Sequence, residues 1–152
     1  MQSHQPGIVL FNNDPTVKAH GIEATMVKKW QQGAQLQVSA SVQRAHDANQ
    51  QRLTNAPERL FKADFSQPLW RNDVQLNWRL FAASPRLSPL GQWPGFARHD
   101  LLMSWQGHPQ LSLVLGLKNI FDQRYIDAPL PSAAGLVQPG RSAELWFQWT
   151  FL

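Results

Sequence analysis

The chain has 152 residues, 14 Lys or Arg against 10 Asp or Glu for a net charge of +4, seven Trp and no Cys. That length suits one domain, and without cysteine there is no disulfide framework, thiol nucleophile or Cys-based zinc site. No apolar run approaches the roughly 20 residues of a membrane-spanning helix, whereas barrel strands need only about 9–11 residues of alternating polarity; the basic residues are scattered rather than gathered, which argues against a nucleic-acid face.

Residues Met1 to Gly7 lack the basic and apolar regions of a secretory signal. A weak first strand covers about Gly7 to Phe11. The second alternates Ile22, Ala24 and Met26 with Glu23, Thr25 and Val27. In the third, Leu36, Val38, Ala40 and Val42 oppose Gln35, Gln37, Ser39, Ser41 and Gln43. The fourth sets Phe61, Ala63 and Phe65 against Lys62, Asp64 and Ser66, and the fifth Val74, Leu76, Trp78 and Leu80 against Gln75, Asn77 and Arg79. Leu101, Met103 and Trp105 mark the sixth. The seventh has leucine at every second position and reads as a strand from Leu111 to Phe121. The eighth places Leu145, Phe147, Trp149 and Phe151 opposite Glu144, Gln148 and Thr150. Period two throughout predicts an all-β, antiparallel meander of about eight strands. Frequent Pro, Gly and Asn turns argue against helix; one helical turn fits only around Asp47–Asn55.

Short turns at Gln31–Gly33, Arg71–Asp73 and Gly107–Pro109 alternate with longer loops at Asn12–Ala19, Asp47–Asn55, Ser84–Gly95 and Ile126–Pro139. Outer-membrane barrels have this asymmetry, short periplasmic turns and long extracellular loops. Trp30, Trp70, Trp105 and Trp149 gather toward the short-turn end, where interfacial aromatics sit; Trp70 and Trp146 have the parity of the polar face. A soluble sandwich or a lipocalin-like barrel shares the alternation but keeps its apolar face inside. The pattern thus admits a membrane barrel, open or closed on itself with a structural or adhesive role, and a soluble binder of an apolar ligand.

No catalytic constellation emerges. His4, His20, His46, His99 and His108 are dispersed, and His99-Asp100 lacks the Gly-x-Ser-x-Gly elbow of a hydrolase. The expectation is a non-enzyme with no cofactor and no metal site. Lys62, Arg79, Glu23, Glu144 and the glutamines are expected to face a lumen.

Four segments resemble the TonB-dependent outer-membrane receptors, which import siderophores, haem, cobalamin and some carbohydrates. Leu115–Tyr125 is similar to the family's penultimate-strand motif, with Asn119, Phe121, Asp122 and Tyr125 at its key positions. Pro139-Gly140-Arg141 and the strand 142–151 resemble its final strand. Lys18–Ala24 and Asn55-Ala56-Pro57 resemble earlier strand starts. The resemblance implies a sector of a transmembrane outer-membrane β-barrel spanning residues 1–152, the C-terminal part of a receptor whose plug domain, TonB box and earlier strands lie elsewhere. It also implies outer-membrane lipid and the barrel-assembly machinery as partners, the latter reading the final strand at Phe151, with TonB engaged only through the plug. Such a piece is expected not to transport alone. Family ligands meet extracellular loops and the plug apex, which here points to Arg44, His46, Arg52, Arg86, Trp93, Arg98 and Arg124. This basic and aromatic set suits an anionic ferric siderophore; outward-facing arginines at the rim would equally meet lipopolysaccharide phosphates. Asp122 and Asp127, flanking Tyr125, read by resemblance as a structural corner rather than a carboxylate pair.

Overall fold

The computed structural model describes residues 17–47, 52, 57–69, 73–88, 91–128 and 136–151. The expected first strand at Gly7–Phe11, Trp70, and all of the 47–55 loop except Asp47 and Arg52 lie outside them. The long strands are β1 (Lys18–Lys29), β2 (Gln35–His46), β3 (Arg59–Leu69), β4 (Val74–Ala83), β7 (Phe96–His108), β8 (Leu111–Lys118) and β11 (Ser142–Trp149). They form one seven-stranded antiparallel sheet in the order β1-β2-β3-β4-β7-β8-β11. Two small ladders project from it. β5 (Arg86–Ser88) pairs with β6 (Gly91–Trp93) inside the expected 84–95 loop, and β9 (Ile126–Ala128) with β10 (Leu136–Val137) inside the 126–139 loop.

The register puts like with like across the sheet. Met26 faces Val38, which faces Ala63; Leu80 follows on β4. Met103 faces Leu115, which faces Leu145, and Leu113 lies opposite Phe147. On the other face one row runs Gln37, Asp64, Arg79 and Asp100. Because side chains alternate along each strand, a slip of one residue in any pair would exchange the two faces. The polar face is the concave one: side chains from β2 (Gln37), β3 (Asp64), β4 (Arg79), β8 (Lys118) and β11 (Trp146) border one cavity of about 370 Å3. In a flat sheet the outer two of these strands would stand roughly 24 Å apart at about 4.8 Å per strand. The sheet therefore curls around its polar side.

No apolar core fills that curl. Among the described residues the buried apolar side chains are Ala34, Ala63, Val74, Phe96 and Tyr125, and the convex face leaves Ile22 at 78%, Leu145 at 70% and Phe147 at 75% exposure. A lipocalin-like barrel has the opposite polarity, apolar within and polar without. That alternative does not describe this chain.

Several boundaries differ from the sequence expectation: β1 begins at Lys18, inside the expected 12–19 loop, and the final strand ends at Trp149 rather than at Phe151. The seventh expected strand ends at Lys118, not Phe121, because Asn119 turns into the left-handed region at φ 51°. The turn expected at Gly107–Pro109 is Pro109–Gln110: a bulge between Trp105 and His108 absorbs the extra length, so that the ladder resumes at His108 opposite Leu111. The Gln110 N–H donates to His108 Nδ1 at 3.2 Å and closes the turn. At the first turn, Gly33 takes φ 85°, a conformation that glycine adopts without steric cost.

Candidate functional site

All the long loops leave the sheet at one end, after β2, β4 and β8. Three features are built there: a corner, a clasp between loops, and a basic mouth above the concave wall.

The corner is the Asn119–Tyr125 segment. Asn119 is 2% exposed. Its Nδ2 donates to the Gln123 carbonyl at 2.9 Å and to the Pro139 carbonyl at 3.4 Å, while its Oδ1 accepts from the Gln123 N–H at 3.0 Å. Its backbone N–H donates to Asp100 Oδ1 at 2.9 Å. Asp122, with φ 54°, accepts the Arg141 N–H on Oδ1 at 2.7 Å. Asn and Asp tolerate this left-handed backbone better than other side-chain-bearing residues, which is why they stand at these two positions. Gly140 completes the junction. A methyl group on it would lie 2.5 Å from Asp122 Oδ1. The Asn-Ile-Phe-Asp and Pro-Gly-Arg segments, 20 residues apart, are thus two halves of one hydrogen-bonded joint. Replacing Gly140 by alanine should cost about 2 kcal/mol through this clash, and in a double-mutant cycle on the denaturation midpoint Asp122→Ala should remove most of that added cost.

Next to it, Tyr125 is buried on the concave side, stacked on Phe96 with ring centroids 4.1 Å apart. Its hydroxyl accepts from Arg98 Nη1 at 3.2 Å, and Arg98 Nε lies 3.1 Å from Asp100 Oδ2, a charge contact without hydrogen-bond alignment. Arg86, 8% exposed, donates from Nη2 to the Ile126 carbonyl and sits 5.7 Å from the Trp93 ring centroid. A guanidinium on the β5–β6 excursion therefore clasps the loop that follows β8. Phe121 turns to the convex face and meets His99 edge-on at 4.8 Å.

The mouth is a cavity of about 450 Å3 bordered by Gln43, Arg52, Glu58, Arg59, Arg86 and Gln92. Arg52 pairs with Glu58 at 3.1 Å, leaving cationic charge in excess of carboxylate. Of the residues singled out from sequence, the structure gathers Arg52 and Arg86 at the mouth, with Trp93 beside Arg86. Arg98 lies beneath Tyr125, Arg124 is exposed near the corner, and Arg44 and His46 have the parity of the convex face. Gln43 is among the strand glutamines expected to face a lumen, whereas Arg59 and Gln92 are not singled out by the sequence. Arg59 lies opposite Val42 and shares the parity of Phe61, so it borders the mouth from the convex-face row of β3.

The wall below carries polar pairs: Arg79 Nε donates to Asp64 Oδ1 at 2.8 Å, and Lys118 Nζ to Glu144 Oε1 at 2.7 Å beside the Trp146 ring. Among the described residues no three His, Asp or Glu side chains converge as a metal site.

Residues 2–120 match the family model described as TonB dependent receptor-like, beta-barrel. The chain belongs to that family. Its fold is that of a sector of an outer-membrane β-barrel, as in the pyoverdine outer membrane receptor FpvA from Pseudomonas aeruginosa PAO1, with a TM-score of 0.78 at 16% identity over 95% of this chain and 25% of that one. The ferric yersiniabactin uptake receptor FyuA from Yersinia pestis superimposes with a TM-score of 0.78 at 15% identity, over 90% and 24%. The ferric-catecholate import receptor Fiu from K12 E. coli gives 0.72 at 16%, over 90% and 22%. The chain thus spans no more than about a quarter of the length of these receptors. No curated protein sequence matches it. TonB-dependent receptor barrels transport and receive ligands rather than catalyse reactions. In this barrel family the seven strands account for part of the wall, and the Asn119–Gly140 joint fixes where the last two strands separate.

Proposed function

We propose that residues 1–152 form the C-terminal part of the barrel of an outer-membrane receptor that takes up a ferric siderophore or a similar anionic nutrient by TonB-driven transport. The observation that carries it is the split between faces in a chain of this family: aliphatic and aromatic outside, hydrogen-bonded polar wall and arginine-bearing mouth inside. Arg52, with the amides of Gln43 and Gln92, suits the carboxylate, hydroxamate or catecholate oxygens of a chelate, because a guanidinium group binds planar oxygen pairs bidentately. Arg86 and Arg98 serve the clasp and the corner and hold the mouth's shape. Glu23, Lys62, Arg79 and Glu144 hydrate the wall or bond to the plug that occupies intact receptors. TonB acts through that plug, so the present strands supply the wall and part of the mouth, and do not transport alone. The chain's place is the outer membrane, inserted there by the barrel-assembly machinery.

Lipid contact is tested with single-tryptophan variants refolded into vesicles containing brominated acyl chains. Trp149, on the convex face near the short-turn rim, should be quenched strongly, and Trp146, on the concave face, weakly. Equal quenching of both, or of neither, removes the membrane reading.

A further inference from the structure

One large aromatic side chain breaks the polar run of the concave wall. Trp146 borders the cavity there and remains 47% exposed. Its indole lies over Gly116 of β8, where an added methyl group would come within 3.1 Å of Trp146 Cζ3 and 3.5 Å of Leu102 Cδ1. Gly116 has no positive φ, so its backbone does not call for glycine; the space above it does. Glycine inside a strand weakens the ladder and marks a place of close approach. Here it lets the ring lie over the sheet as a shelf beside Leu102. Around that shelf the wall is charged yet neutral in sum. Arg79 pairs with Asp64 at 2.8 Å, Lys118 with Glu144 at 2.7 Å, and Arg98 with Asp100 at 3.1 Å. Lys118 Nζ stands 6.0 Å from the indole centroid, and the amide side chains of Gln37 and Asn77 also border the cavity.

We propose that this shelf, Trp146 over Gly116 with the Arg79–Asp64 and Lys118–Glu144 pairs beside it, is a binding site for an uncharged saccharide ring. Three features select that class. The half-exposed indole offers an apolar surface that matches the C–H face of a pyranose. Each ion pair sets an acceptor next to a donor, so of two adjacent hydroxyls one donates to the carboxylate and its neighbour accepts from the cation. With each of these cations already matched by a carboxylate, an anion gains little net attraction, in contrast to the mouth. A cavity that joins an apolar surface to a few convergent polar groups has the make-up of a small-molecule site. Trp146 lies opposite Val114, midway along its strand pair, and hence below the mouth. The inference therefore goes beyond the chelate reading in both place and ligand, and does not depend on it.

The test uses the full chain refolded in a detergent without sugar headgroups, titrated with maltotriose and followed by saturation-transfer NMR and intrinsic fluorescence. Maltotriose should bind saturably. Its permethylated form, with every hydroxyl capped, should bind at least about tenfold more weakly. Trp146→Ala should lose about tenfold in maltotriose affinity, and Trp146→Phe should keep most of it. Gly116→Val leaves the tryptophan in the chain but lifts it from the sheet, and should lose a similar factor. The D64N/R79Q double variant keeps the shelf and removes one ion pair; it should also lose about tenfold, with an unchanged β-sheet circular dichroism spectrum. Trp149→Ala, on the convex face of the same strand, should change nothing. No saturable binding of maltotriose, equal affinity for the permethylated form, a Trp149→Ala loss as large as that of Trp146→Ala, or displacement of maltotriose by citrate would overturn the proposal.

Discussion

Asn119→Ala should lower the unfolding free energy by about 3–5 kcal/mol, read as a shift in the guanidinium midpoint of tryptophan fluorescence in detergent micelles. Two costs add. Truncation leaves the Gln123 N–H and the carbonyl oxygens of Gln123 and Pro139 without their partner at a site that is 2% exposed, and each part-buried polar group left unsatisfied costs about 1–3 kcal/mol. Alanine must also hold φ near 51°, at roughly 1–2 kcal/mol. Asn119→Asp keeps the acceptor and much of the left-handed tolerance but loses both Nδ2 bonds, so it should fall between wild type and alanine. A loss below about 1 kcal/mol for the alanine variant would mean that the joint does not hold the last two strands.

The second large effect concerns the convex face. Leu115→Arg places a guanidinium between Met103 and Leu145, in the middle of the apolar wall. In a bilayer it should cost about 2–4 kcal/mol, the range for a charge near the midplane of a membrane barrel. Ser104→Arg, opposite Val114 on the concave face, meets water and polar neighbours and should cost less than about 1 kcal/mol. Reversible denaturation of both variants in lipid vesicles gives the comparison. The sign of the difference decides it: if Ser104→Arg is the costlier of the two, the convex face is not the one that meets hydrocarbon.

Much of this architecture is legible in the chain itself. Strict alternation at Leu36–Val42 or Leu111–Leu117 fixes both strand and face, because a half-buried ladder tolerates no other period. The corner is legible as well, since Asn119, Asp122 and Gly140 are the residue types that left-handed backbone and close approach demand. Less visible are features that depend on where strands end. Arg86 and Trp93 look like free loop groups until the β5–β6 ladder brings them together. The bulge at Trp105–His108 has no period of its own to betray it. Arg44 and His46 look like loop residues in sequence, and only the β1–β2 register turns them outward.

In the described sheet each long strand pairs only with the long strands next to it along the chain, and the two small ladders are excursions within loops. Such wiring has a kinetic meaning. Each new hairpin can dock on an edge that its predecessor has just finished, so ordering proceeds like a zipper and never waits for distant segments to meet. For a wall that has to enter lipid, this keeps the number of unpaired backbone groups small at every stage, one exposed strand's worth at the growing edge.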